Sequence, residues 1–170
     1  VIPDSIEQIR TSRLVLQPLD PSDAAEMVVV LADPILYEFT GGAAPDFDTL
    51  ERRYRNQVKG PSDSEEAWYN WIARKAEDQQ AVGFVQATVI DDAADVAWLI
   101  GVEYQGRGFG AEAASAMCDW LLRNGVCSLS AHIHPRHVAS QRVALAIGLA
   151  ATGESDDDGE AIWSASLGSG

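Results

Sequence analysis

Along the chain the spacing of apolar residues switches between two periods, and each switch marks a predicted element. Residues 13–19 alternate apolar and polar and read as a strand, and Pro21-Ser-Asp-Ala-Ala-Glu-Met27 opens a helix towards Ala32 that Pro34 stops. Residues 34–46, with the Gly41-Gly42 pair, read as a loop before a second helix that begins near Asp46 or Asp48 and carries Arg52, Arg53 and Arg55 to about Val58. Residues 67–75 and 81–90 are rich in aromatic and β-branched side chains across a polar Glu77-Asp-Gln-Gln80 link, which predicts an antiparallel hairpin. Asp91-Asp-Ala-Ala94 then turns into a strand over residues 95–102.

From residue 110 to 124 the period becomes helical. Ala113, Ala114, Met117, Cys118, Leu121 and Leu122 share one face, Glu112, Ser115, Asp119 and Arg123 the other, and Gly125 supplies a stop, so this helix packs on a sheet. Residues 127–133 alternate again, with Cys127, Leu129, Ala131 and Ile133 opposite Ser128, Ser130 and His132, and a short helix follows over 138–147. The acidic Glu154-Ser-Asp-Asp-Asp-Gly-Glu160 joins two final short strands; Asp158-Gly159 suits its tight turn, and its carboxylates serve to solvate it.

One junction in this pattern carries chemistry. In Trp98-Leu-Ile-Gly-Val-Glu-Tyr-Gln-Gly-Arg-Gly-Phe-Gly-Ala111 an apolar strand meets a glycine-rich turn that opens directly into a helix. Glycines 106, 108 and 110 let backbone approach a ligand, and the first amides of the helix lack intrahelical partners, which suits a pyrophosphate. A P-loop is excluded because Ala111 and Glu112 follow Gly110, and a dinucleotide fingerprint because the spacing is G-x-G-x-G.

The turn resembles the Q/R-x-x-G-x-G/A motif of the GCN5-related N-acetyltransferases, met by Gln105, Gly108 and Gly110. The stretch Ile133-His-Pro-Arg-His137-Val-Ala-Ser140-Gln-Arg-Val-Ala-Leu-Ala-Ile-Gly148-Leu is similar to that family's later strand, helix and glycine unit. The opening Thr11-Ser-Arg-Leu-Val-Leu-Gln-Pro-Leu19 resembles the first strand of the subgroup similar to ribosomal-protein N-terminal acetyltransferases. The resemblance implies a single α/β domain over about residues 10–167. Its central sheet would be mixed, mostly antiparallel, of six to seven strands flanked by helices. The implied activity is acetyl transfer from acetyl-coenzyme A to a primary amine, either a peptide N-terminus or a small amine.

Roles follow from the resemblance residue by residue. The strands 95–102 and 127–133 would run parallel and splay, with backbone near Leu99, Ile100, Gly101 and Val102 binding the pantetheine arm. Gln105, Gly106, Arg107, Gly108, Phe109, Gly110 and Ala111 would hold the pyrophosphate. Most of the family uses a Tyr to assist the departing thiolate, where this chain has Ala144; the subgroup instead carries a Ser matched by Ser140. His137 stands at the usual Asn position, where it keeps a contact to pantetheine or joins the proton chemistry. Asp95 and Glu38 are candidate bases, with water as the alternative, and Tyr37, Glu38 and Phe39 lie in the loop that borders the acceptor. His132, His134 and His137 also permit a metal reading, but the acetyltransferase account already explains the segment, and no metal is expected. A non-catalytic acyl-coenzyme A binding module is the rival reading, and a homodimer is what the subgroup implies.

Composition narrows the partners. With 46% hydrophobic and 22% charged residues the chain reads as globular, and no apolar run approaches the roughly 18 residues of a membrane span. Twelve basic against 26 acidic residues give a net charge of −14, which opposes nucleic acid and anionic membrane and favours cationic acceptors. The start, Val1-Ile-Pro-Asp, lacks a signal core, and Cys118 and Cys127 form no disulfide framework, so a reducing cytoplasm is expected.

Overall fold

The computed structural model describes residues 3–62 and 65–166, so residue 167, the expected limit of the core, lies outside them. Among the described residues eight strands form one sheet: β1 (Ile9–Arg10), β2 (Leu14–Pro18), β3 (Glu66–Lys75), β4 (Ala81–Ile90), β5 (Ala93–Ile100), β6 (Ser128–Ile133), β7 (Ala150–Ser155) and β8 (Ala161–Ser166). The order is β1-β2-β3-β4-β5-β6-β8-β7, and β5 with β6 is the parallel pair in an otherwise antiparallel sheet. The strand beyond the expected six to seven is β1, whose two residues are too few to show a period. Four helices flank the sheet: α1 (Ala24–Val30), α2 (Phe47–Lys59), α3 (Phe109–Arg123) and α4 (Val138–Ala146).

Several boundaries move for local reasons. The helix expected from Pro21 begins as a 3-10 turn over Pro21–Asp23, in which Asp20 accepts from the Ser22 N–H while Asp23 accepts from the Asp20 N–H, and α1 ends at Val30. The turn expected over 91–94 is tighter, because Asp91 takes a left-handed φ of 55° and Ala93 already pairs with Ile90. As a result β5 runs two residues earlier than expected. Cys127 falls just outside β6 and is exposed, its N–H held by the Asp92 carbonyl at 2.7 Å.

Both sheet faces are covered, and each has its own core. On one, α1 and α2 bury Met27, Leu31, Leu50 and Tyr54 against Ile72 and Ala81. On the other, α3 buries Ala113, Ala114, Met117, Cys118 and Leu121 as its spacing predicts, although Leu122 is only half-buried. Trp120, outside the expected face, is 2% exposed. It enters the core because its Nε1 donates to Glu7 Oε1 at 2.6 Å and its ring meets Tyr69 and Trp71 edge-on at 5.1 and 5.2 Å. Tyr69 and Trp71 are therefore core residues, whereas Trp98 is half-buried and faces a cavity. No helix among the described residues is long and apolar enough to cross a membrane.

Candidate active site

The site begins where the parallel pairing stops. β5 and β6 are partners at Ala93 with Ser128, Ala94 with Leu129 and Asp95 with Ser130, and nowhere beyond. Past Asp95, β5 stays with β4 and β6 stays with β8, so the two strands part and each follows the twist of its other neighbour. A cavity of about 690 Å³ fills the gap, walled by residues 96–100 on one side and 131–134 on the other.

Strand alternation decides which main-chain groups face it. The Gly101 N–H donates to the Val82 carbonyl at 2.8 Å, which turns the backbone of Leu99 and Gly101 towards β4 and that of Trp98 and Ile100 into the gap. Of the residues expected at pantetheine, Leu99 and Ile100 line the cavity, Gly101 is buried, and Val102 lies in the 3-10 turn that follows, off the cavity wall. Ile100 presents its carbonyl, which accepts from Gln105 Nε2 at 2.9 Å.

Gln105 thereby anchors the glycine turn to the strand end. Gly106 and Gly108 have φ of 75° and 81°, the left-handed region where a side chain is strained, and Gly108 is the N-cap of α3. Among the described residues none of the N–H groups of residues 106–111 donates to a protein acceptor; the first helical bond is from Glu112 N–H to the Gly108 carbonyl. Six consecutive unpartnered amides at a helix N-terminus form a cradle for an anion. Gly110 lets α3 approach α4, since a Cβ there would sit 3.3 Å from Val143 Cγ2.

A clamp holds the turn from behind. Arg13 donates from Nε to Glu112 Oε2 at 2.7 Å and from Nη1 to the Arg107 carbonyl at 2.8 Å, and its guanidinium lies 4.6 Å over the Phe109 ring. Glu112 Oε1 also accepts from Thr11 Oγ1, Ser12 Oγ and the Arg13 N–H at 2.7 to 3.2 Å. Burial pushes the Glu112 carboxyl up, but these bonds outweigh it and hold it below the ordinary range. The Arg107 side chain, expected at the phosphate, is exposed and off the cavity wall. Arg13 and Glu112 carried no chemical signal in the sequence, being 99 residues apart.

The far side of the cavity is made by α4 and the segment around residues 35–40. Ser140 lies at N3 of α4 and lines the cavity, its hydroxyl making no hydrogen bond among the described residues, and Ala144 one turn on is fully buried. His137 is the N-cap of α4 and stacks on Phe39 at 4.8 Å between ring centroids; His134 is tilted against the same ring at 5.0 Å. Burial, with His134 adding to it, holds the His137 pKa below its ordinary value. Glu38 and Phe39 line the cavity. Tyr37 does not; its hydroxyl donates to the Leu31 carbonyl at 2.7 Å.

The three histidines do not converge, and among the described residues no group of three potential ligands could hold a metal. His132 belongs to a different cluster: its Nδ1 lies 2.8 Å from Asp156 Oδ2 and its Nε2 3.7 Å from Asp95 Oδ1. Asp95, at the apex of the gap, accepts from Ser130 Oγ at 3.1 Å but does not line the cavity. Glu160 does, and burial together with the Asp156 charge raises its carboxyl pKa. Asp156 and Glu160 thus do more than solvate a turn, a role their acidic, aperiodic context hid.

A parallel pair that parts beside a glycine turn is the arrangement the family motif requires, and a family model described as an acetyltransferase (GNAT) domain matches residues 13–150. The chain belongs to the GNAT acetyltransferases. As a member it is an acyltransferase that uses acetyl-coenzyme A and amine acceptors. Solved structures of the same fold include the ribosomal-protein-S5-alanine acetyltransferase of Vibrio fischeri, 18% identical over 96% of this chain and 98% of that one, with a TM-score of 0.80. A GNAT acetyltransferase of Bacillus anthracis is 15% identical over 95% and 99%, at 0.79. An aminoglycoside acetyltransferase in complex with coenzyme A is 18% identical over 90% and 94%, at 0.74. No curated protein matches the sequence.

Proposed function

We propose that this GNAT domain, over about residues 10–167, moves an acetyl group to a primary amine by direct attack, with no covalent enzyme intermediate. The observation that carries the reading is one continuous cavity, running from the glycine turn through the gap to the wall of Glu38, His132 and Glu160. Amides 106–111 fit a pyrophosphate, and the gap fits a pantetheine arm as a strand-like partner of β5. An N–H of Trp98 or Ile100, fixed by the sheet, is placed to stabilise the oxyanion, an effect of about 3 kcal/mol for one such donor. Ser140 Oγ donates a hydrogen bond to the departing thiolate in the field of the α4 N-terminus. His137, neutral at physiological pH, supplies the side-chain contact to pantetheine.

The acceptor is a cationic amine, a small molecule or a peptide N-terminus, in keeping with a net charge of −14 that disfavours nucleic acid and anionic membrane. A cytoplasmic protein, active as monomer or homodimer, is the setting this implies, and the same site suits acetyl or a longer acyl donor. The buried Ala144, where most of the family has a hydroxyl, favours a second reading: a non-catalytic acyl-coenzyme A binding module.

Thermal shift with coenzyme A against ATP and NAD tests the donor site. A ligand at a hundred times its Kd adds about 2.7 kcal/mol to stability, and the rise is expected with coenzyme A alone and to vanish in Gly108→Glu. Thiol release from acetyl-coenzyme A in the presence of amines then separates enzyme from module. A rise with ATP or NAD instead would sink both.

A further inference from the structure

We infer that His132, with its Nδ1 held by Asp156, is the base that takes the proton from the acceptor ammonium; the inference rests on the transferase reading above. β6 delivers His132 two residues beyond the last β5–β6 pair, so its ring stands on the cavity wall where the gap opens. Asp156 is itself fixed, its Oδ1 accepting from the N–H groups of Asp158 and Glu160 at 2.9 Å each. A carboxylate on Nδ1 selects the tautomer protonated there and leaves the Nε2 lone pair free to accept a proton. Asp95 Oδ1 lies 3.7 Å from Nε2, beyond hydrogen-bond reach, so it holds no proton on that nitrogen and the lone pair stays available.

The charged groups facing the ring are Asp95 from β5 and Asp156 and Glu160 from the loop between β7 and β8. All are acidic. They draw a cationic amine to this wall, and the Asp156 bond is the largest cause of a His132 pKa above its ordinary value, which suits a base for an alkylammonium at neutral pH. The other candidates are less well placed. Asp95 is bonded to Ser130 and off the cavity wall, and His137 is stacked against Phe39 with its pKa pushed down.

The step balances simply. The ammonium gives one proton to Nε2, and the freed nitrogen lone pair bonds the thioester carbonyl carbon. The carbon–sulfur bond breaks with its electron pair on sulfur. The second nitrogen proton passes to that thiolate, and His132 returns its proton to solvent, so R–NH3+ and the thioester become amide, thiol and H+.

The test measures thiol release by the full chain with ethylamine, its 2,2,2-trifluoro analogue, spermidine and a short peptide with a free N-terminus. In His132→Gln, kcat/KM for the protonated amines should fall about a hundredfold to ten-thousandfold. For the trifluoro amine, already neutral, it should fall much less, and the coenzyme A thermal shift should be kept. The acid limb of the pH profile should disappear in that variant and move to lower pH in Asp156→Asn, where the charge that raises His132 is gone. Equal losses on protonated and neutral amines, or a loss confined to Glu160→Gln, would overturn the assignment. Coenzyme A binding without thiol release from any probe by the wild-type chain overturns the transferase reading itself, and the base with it.

Discussion

The glycine turn and the wall around His132 face one cavity from opposite ends, and they are built from different materials. At the turn the groups proposed to bind the cofactor are six unpartnered main-chain amides, set by glycine dihedrals and held by Arg13, Glu112 and Gln105. At the wall they are side chains that titrate, with His132 36% exposed and Asp156 21%. A backbone site constrains sequence at a few glycines and at its clamp. A side-chain site is rewritten by single substitutions. That contrast fits two solved structures of the same fold, each 18% identical to this chain, one an aminoglycoside acetyltransferase and the other a ribosomal-protein-S5-alanine acetyltransferase.

The comparison breaks most completely if the gap between the two ends is distorted. Gly83, on β4 opposite Ile100, has no room for a side chain: a Cβ would lie 2.0 Å from the Leu99 carbonyl oxygen and 3.0 Å from Ile100 Cα. Since both contacts are backbone, β5 must shift. Gly83→Ala is expected to lose about 3 kcal/mol, or about 6 to 12 °C in Tm for a chain of this size, and with it coenzyme A binding. Calorimetry with and without coenzyme A checks both.

The next two effects separate the chemical from the binding end. Ser140→Ala removes a hydrogen bond to a developing charge, so kcat should drop roughly tenfold to a hundredfold, with the coenzyme A Kd little changed. Arg13→Gln acts the other way. It leaves Glu112 without its guanidinium and the Arg107 carbonyl without its donor, so the amides lose their common aim while the reacting groups stay in place. Coenzyme A should bind about tenfold more weakly, about 1.4 kcal/mol, at nearly constant kcat. Because Arg13 is 47% exposed, solvent screens the pair and unfolding free energy should fall by less than about 1 kcal/mol. A kcat loss in Arg13→Gln would mean that the clamp reaches the chemistry and that the two ends are not separable.

What was legible in the sequence follows the same division. The glycine turn, the buried stripe of α3 and the helix start at His137 depend on neighbours within a turn or two, and periodicity shows them. The gap itself was reachable only through family resemblance, since nothing in residues 95–102 or 127–133 says where pairing ends. Alternation within β5 was visible, yet the main-chain direction of Leu99 and Gly101 depends on the register against β4, which is fixed only once the two strands pair. Arg13 with Glu112 and His132 with Asp156 meet only after the sheet is assembled. Trp120 enters the core through Glu7, a contact 113 residues away in sequence.

The effect of titrating His132 and His137 on stability is the smallest, and it gives the finest test. Asp156 raises the pKa of His132, so that residue's contribution to stability is full below the ordinary imidazole value and is lost as pH rises through the folded one. Burial lowers the pKa of His137, so its effect has the opposite sign: stability falls as pH drops below the ordinary value towards the lowered one, because the unfolded chain takes up the proton first. His137→Asn keeps a donor where the family usually has Asn and removes the titration. Coenzyme A affinity in that variant should stay within about threefold of wild type, less than the 1.4 kcal/mol of a tenfold change, while part of the acid loss of stability disappears. Unfolding followed between pH 5 and pH 8, a range of about three units centred on imidazole titration, checks the sign. An affinity loss far beyond threefold would show that the imidazole, through its stacking on Phe39, shapes the cavity in a way an amide cannot replace.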